Sequence, residues 1–132
     1  MNISILNTTT KKIQAKLGGA PATANPDFIV SYADNDGSVF TEGVNDGALN
    51  GTTEVDICPA PASTFRRVIK NITIFNRDTA SVTLTIYFNN NGTQRVIFSG
   101  PVASGSTWTT DVTQGIKGDT GDTGATGPAN TL

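Results

Sequence analysis

A chain of 132 residues fits one domain plus an extension, and its 9 basic and 11 acidic side chains are scattered, leaving no basic footprint for a nucleic-acid backbone. The single cysteine, Cys58, cannot close an intramolecular disulfide, and a sequence with no histidine offers neither a Cys/His zinc site nor a His-activated nucleophile. No run approaches the ~18 apolar residues of a membrane span. The opening MNISILNTTTKKIQAKL also lacks the basic-then-apolar layout of a secretory signal, so the chain is expected to stay soluble where it is made. Without a secretory route, the Asn-X-Ser/Thr matches at Asn2, Asn7, Asn50, Asn71 and Asn91 are chance products of an Asn- and Thr-rich sequence.

Residues 1–24 read two ways. Ile3, Ile5, Ile13, Ala15 and Leu17 alternate, yet the threonines and the small-residue stretch GGAPATANP predict an N-terminal arm or edge strand ahead of the domain. Residues 25–112 read as β throughout. DFIVSYADNDGSVFTEG predicts a strand from Phe28 to Tyr32, a turn over Asp34 to Gly37, and a strand from Val39 to Thr41. TTEVDI adds Val55 and Ile57 before Pro59 and Pro61 interrupt pairing. Ile72 and Ile74 then oppose Asn71, Thr73 and Phe75; NRDTA reads as a turn; Val82, Leu84, Ile86 and Phe88 oppose Thr83, Thr85 and Tyr87. Asn89 to Gly92 offers residues that tolerate positive φ, so Arg95 to Ser99 returns antiparallel, and these last three strands are expected to form a meander. Short strands without a 3.6-residue period predict an all-β fold, a β-sandwich or jelly-roll-like domain.

Candidate sites within the domain are few. Asp34 and Asp36 resemble the start of a calcium loop, but Gly43 stands where the ligand glutamate belongs, so a plain turn is expected, as at Asn45 to Gly47. Cys58, between Ile57 and Pro59, reads as a buried, inert thiol. Arg66 and Arg67 should point to opposite faces, either one anchoring a partner or both shielding an edge strand. Trp108 and Tyr87 read as core or interface residues, with sugar stacking as the other use. No catalytic residue, cofactor or metal ligand is expected.

After Val112 the alternation stops, and GIKGDTGDTGATGPA repeats glycine at Gly115, Gly118, Gly121, Gly124 and Gly127. Glycine at every third position is the signature of the collagen triple helix, in which only glycine fits at the axis. Residues 115–129 therefore predict a short collagen-like segment with these five glycines at a homotrimer axis. Lys117-Gly118-Asp119 resembles the lysine and acid arrangement by which collagen-like sequences bridge neighbouring chains, which implies an interchain pair of Lys117 and Asp119 worth on the order of half a kcal/mol. With proline in the repeat only at Pro128, the run is too weak to hold three chains by itself, so the attached domains must bring the tails together.

The run TTEVDICPAPASTFRRVIKNITIFNRDTASVTLTIYFNNNGTQRVIFSGPVASGSTW, roughly residues 52–110, resembles the small β-domains of tailed-bacteriophage virion structural proteins. The likeness lies in a proline-rich lead-in, an NITIFN strand, its NRDTASVTLTIYF return and a final aromatic after a Gly/Ser turn. GDTGDTGATGP is similar to the short collagen-like runs of phage fibre and decoration proteins. The resemblance implies a non-enzymatic virion component of the tail, neck or capsid, assembled in the host cytoplasm, with itself and other virion proteins as partners. A capsid decoration protein (head fibre) is the alternative within that class, and a carbohydrate-binding module the alternative outside it. Fibres of this kind commonly continue past the collagen-like run into a receptor-binding tip, and this sequence departs from that pattern by stopping at Leu132.

Overall fold

The structure, a computed structural model, describes residues 5–110. The collagen-like segment, with its glycines and the Lys117 and Asp119 pair, lies outside the described residues. Within them the chain forms nine strands and no helix: β1 (Ile5–Leu6), β2 (Lys11–Leu17), β3 (Asp27–Asn35), β4 (Phe40–Ala48), β5 (Val55–Cys58), β6 (Arg66–Phe75), β7 (Val82–Asn90), β8 (Thr93–Val102) and β9 (Thr107–Thr109). Two antiparallel sheets result. Sheet A runs β1-β6-β3-β4, with β9 also on β6, and sheet B runs β5-β2-β7-β8. Their facing side chains merge into one core, which includes Leu6, Phe28, Val30, Ile69, Ile72 and Ile74 from sheet A. Ile13, Leu17, Ile57, Leu84 and Ile86 meet them from sheet B. The period-two alternation of β7 behaves as its residues dictate: Leu84 and Ile86 are fully buried, and Thr83 is exposed.

Three features depart from the sequence reading. The segment expected as an arm or edge strand divides: β1 lies on the β6 edge, but β2 is interior, hydrogen-bonded to β5 on one side and β7 on the other. Ile13, Ala15 and Leu17 supply its core face, and Lys12, Gln14 and Lys16 its outer one. The expected meander also splits, because β6 belongs to sheet A while β7 and β8 form the hairpin of sheet B. The connecting NRDTA stretch turns a corner between sheets. Asn76, fully buried, donates to the carbonyls of Ala80 and Val102, and the Asp78 carboxylate accepts from the amides of Ala22 and Thr23 and from the Thr23 hydroxyl. These bonds satisfy the buried polar backbone that a corner exposes and so replace a hairpin ladder. Finally, bulges interrupt the ladders. Ser31 pairs with Asn71 and Tyr32 with Ile69, leaving Lys70 as the extra residue, so that Ile69 and Ile72 both face the core despite a spacing of three.

The β7–β8 hairpin closes as its residues predict, with Asn91 at φ 52° and Gly92 at φ 94° as the two central residues between the paired Asn90 and Thr93.

Candidate functional site

The two outer faces of the molecule differ in chemistry, and the difference singles out one of them. Register places Ile5, Ile29, Phe40, Val44 and Phe75 together on the outer face of sheet A. All five are large, apolar and between 39% and 63% exposed. Among the described residues, seven large hydrophobic side chains are exposed, and of these only Val39, which leads into β4, and Val96, on β8, lie elsewhere. Ile29 sits diagonally between Val44 on β4 and Phe75 on β6, because Ser31 pairs with Val44 and Asp27 with Phe75. Two ion pairs punctuate this face: Lys70 reaches Glu42 at 2.6 Å, and Arg77 reaches Asp27 at 3.3 Å. A shallow depression of about 230 Å³ opens over Ser31 between Val44, Glu42 and Lys70. On the inner side of the same hairpin, Tyr32 lies against the Gly43 backbone and Phe28 against Gly47; a Cβ at Gly43 would come within 2.7 Å of the Tyr32 ring.

The outer face of sheet B is closed over by its own polar side chains. Asn89 donates to Gln14, Gln14 donates to Asp56, and Lys12 pairs with Asp56 at 3.1 Å. Gln94 donates to Glu54, and Lys16 lies 5.9 Å from the centre of the Tyr87 ring. Gln14, Tyr87 and Asn89 are thereby buried although they point away from the core. Gln14, Asn89, Asp56, Gln94 and Glu54 of this face are bonded to one another, although the buried Tyr87 hydroxyl has no hydrogen-bond partner among the described residues, whereas sheet A holds several large apolar side chains in water and gains by covering them.

The edge of sheet A adds a second feature. β1 pairs with Arg67 and Val68, and β9 pairs with Thr73 to Phe75, so both lie on the same side of β6. Thr110, the last described residue, is clamped there. Its amide donates to the Ile72 carbonyl at 3.0 Å, its hydroxyl accepts from the Ile72 amide at 2.9 Å, and the same hydroxyl meets the Asn71 side-chain oxygen at 2.9 Å. The last described residue is therefore fixed on this edge.

The other sequence candidates resolve as follows. Asp34 and Asp36 do not converge. Asp36 caps the β3–β4 turn, accepting from the amides of Ser38 and Val39, while Asp34 takes a bidentate contact from Arg67 at 2.8 and 3.0 Å. Arg67 also donates to the Pro59 carbonyl and lies 4.0 Å from the centre of the Tyr32 ring. It is a structural cation facing inward. Arg66 is the exposed one, at the Phe40 end of the outer face. Cys58 is fully buried, and burial pushes its thiol up to about 11 against the opposing pull of Arg67. Trp108 is half-buried against the core with its ring 5.2 Å from that of Phe98. Among the described residues no three His, Cys, Asp or Glu side chains are grouped to hold a metal, and no helix is long and apolar enough to cross a membrane.

No family model, curated protein or solved structure matches this chain.

Proposed function

We propose that the chain is a non-enzymatic structural component of a bacteriophage virion, docked on the tail, neck or capsid, with three copies joined through the Gly-X-Y run as a short stalk. The observation that carries this reading is the junction at Thr110. A β-domain holds that residue with three hydrogen-bonded contacts, and Gly115, the first glycine of the period-three run, follows five positions later. A repeat that works only as three strands about an axis is thus attached to a firm base. Assembly accounts for the rest of the molecule as well. The one thiol is buried with its proton held tightly, which leaves it no nucleophilic use. The two aromatics named for sugar stacking are committed elsewhere, Trp108 against Phe98 and Tyr87 beneath the polar network.

Antibody labelling of purified virions, imaged by electron microscopy, tests the proposal. Label at a discrete place on the particle is expected, and many copies on the head would select the capsid-decoration form. Particles free of the chain would overturn it.

A further inference from the structure

We infer that the outer face of sheet A turns toward the threefold axis and is covered there by the neighbouring copies of this same chain. The inference rests on the trimeric reading above and adds to it the surface through which the domains touch.

Reach gives the first argument. Thr110 is fixed on β6, and Gly115 must lie at the axis if the glycines act as collagen glycines. Five residues of extended chain span at most about 17 Å, so each β6 edge stands within about 17 Å of the axis. Strands in a sheet are spaced ~4.8 Å apart, which puts β3 and β4, two positions further on, within about 10 Å of β6. Reach thus brings the β6 edge of each copy to the axis, and of the two faces beside that edge it is the outer face of sheet A that holds Ile29, Val44 and Phe75 exposed.

Chemistry gives the second. Three domains crowded at an axis must bury surface against one another, and the two outer faces are unequal candidates. Sheet B presents Gln14, Asn89, Asp56 and Gln94 already bonded to one another or to neighbours, while sheet A presents unpartnered apolar groups. The two ion pairs on the sheet A face carry balanced charge, Lys70 with Glu42 and Arg77 with Asp27, so copies do not repel across it. The repeat is short and contains proline only at Pro128, so it needs such a contact to bring the three tails together.

The test uses the full chain and reads its mass by light scattering across a concentration series. The variants are Ile29→Asp combined with Val44→Asp, and, as a control at an exposed apolar residue of sheet B, Val96→Asp. The wild type and Val96→Asp are expected at three times the 13.7 kDa chain mass, about 41 kDa, and the double variant at one. A wild-type trimer alongside a double variant that is equally trimeric overturns the inference while leaving the trimeric reading intact, the face then being free for another virion protein. A wild type that stays monomeric overturns both. If the aspartates prevent folding, Ile29→Thr with Val44→Thr, which changes shape little, is expected to raise the concentration at which the trimer dissociates at least tenfold; an unchanged concentration overturns the inference.

Discussion

Arg67 shows how a charge that reads as a surface anchor becomes part of the scaffold. Its guanidinium forks onto Asp34, fills one hydrogen bond of the Pro59 carbonyl and covers the Tyr32 ring, with only 12% of the side chain exposed. Arg67→Ala leaves the Asp34 carboxylate, itself mostly covered, without its partner, and is expected to cost about 3 kcal/mol in denaturant unfolding. Arg67→Lys should recover little, because a point charge cannot replace the fork. Asp78 makes the matching case among the acids. Burial pushes its carboxyl up, but the Ala22 amide, the hydroxyl and amide of Thr23 and the Thr79 amide outweigh burial and hold it well below its ordinary value of 3.8. A depressed native pKa contributes stability above the unfolded value, and that contribution is lost as pH falls below it toward the native one. The Tm gap between the wild type and Asp78→Asn should therefore be widest near neutrality and close as pH drops below about 4; a gap independent of pH would refute this role.

At the scale of elements, β7 was legible and its surroundings only partly so. Strict alternation from Val82 to Ile86 reports a strand with one covered face, and Ile86, fully buried at the centre of sheet B, is the place to test it. Ile86→Ala is expected to cost about 3–4 kcal/mol by urea denaturation, and Ile86→Asp to abolish folding. The alternation of Ile13, Ala15 and Leu17 was equally visible, yet β2 read as part of an arm or edge strand because of the threonines before it and the small-residue stretch GGAPATANP after it. Lys12 pairs with Asp56, and Lys16 lies over Tyr87, so the charges cover a sheet without needing an edge. The bulge at Lys70 and the corner at Asn76 to Ser81 had no local signal. A bulge shows only against its partner strand, and NRDTA has the composition of a hairpin turn whichever sheet the chain enters next. The apolar outer face shared this fate. Ile29, Val44 and Phe75 are each ordinary as single exposed residues, and only the register of β3, β4 and β6 brings them together.

For the whole molecule, the asymmetry of its two outer faces and the position of its chain ends belong to one design. Sheet B closes itself with a polar network, sheet A leaves apolar groups uncovered, and β1 and β9 bring both described ends to the β6 edge of sheet A. On the proposed reading, a stalk rooted there would couple tail and domain, each contact raising the local concentration for the other. A bulky residue at the axis should weaken only the tail's share, so Gly121→Arg is expected to raise the dissociation concentration of the assembly while leaving the domain's thermal unfolding unchanged. The most direct measurement is the mass of the intact chain in solution by light scattering as it is diluted. The account predicts about 41 kDa, three times the 13.7 kDa chain, dissociating to single chains at higher concentration in Gly121→Arg than in the wild type. A mass of 13.7 kDa at every concentration would contradict it.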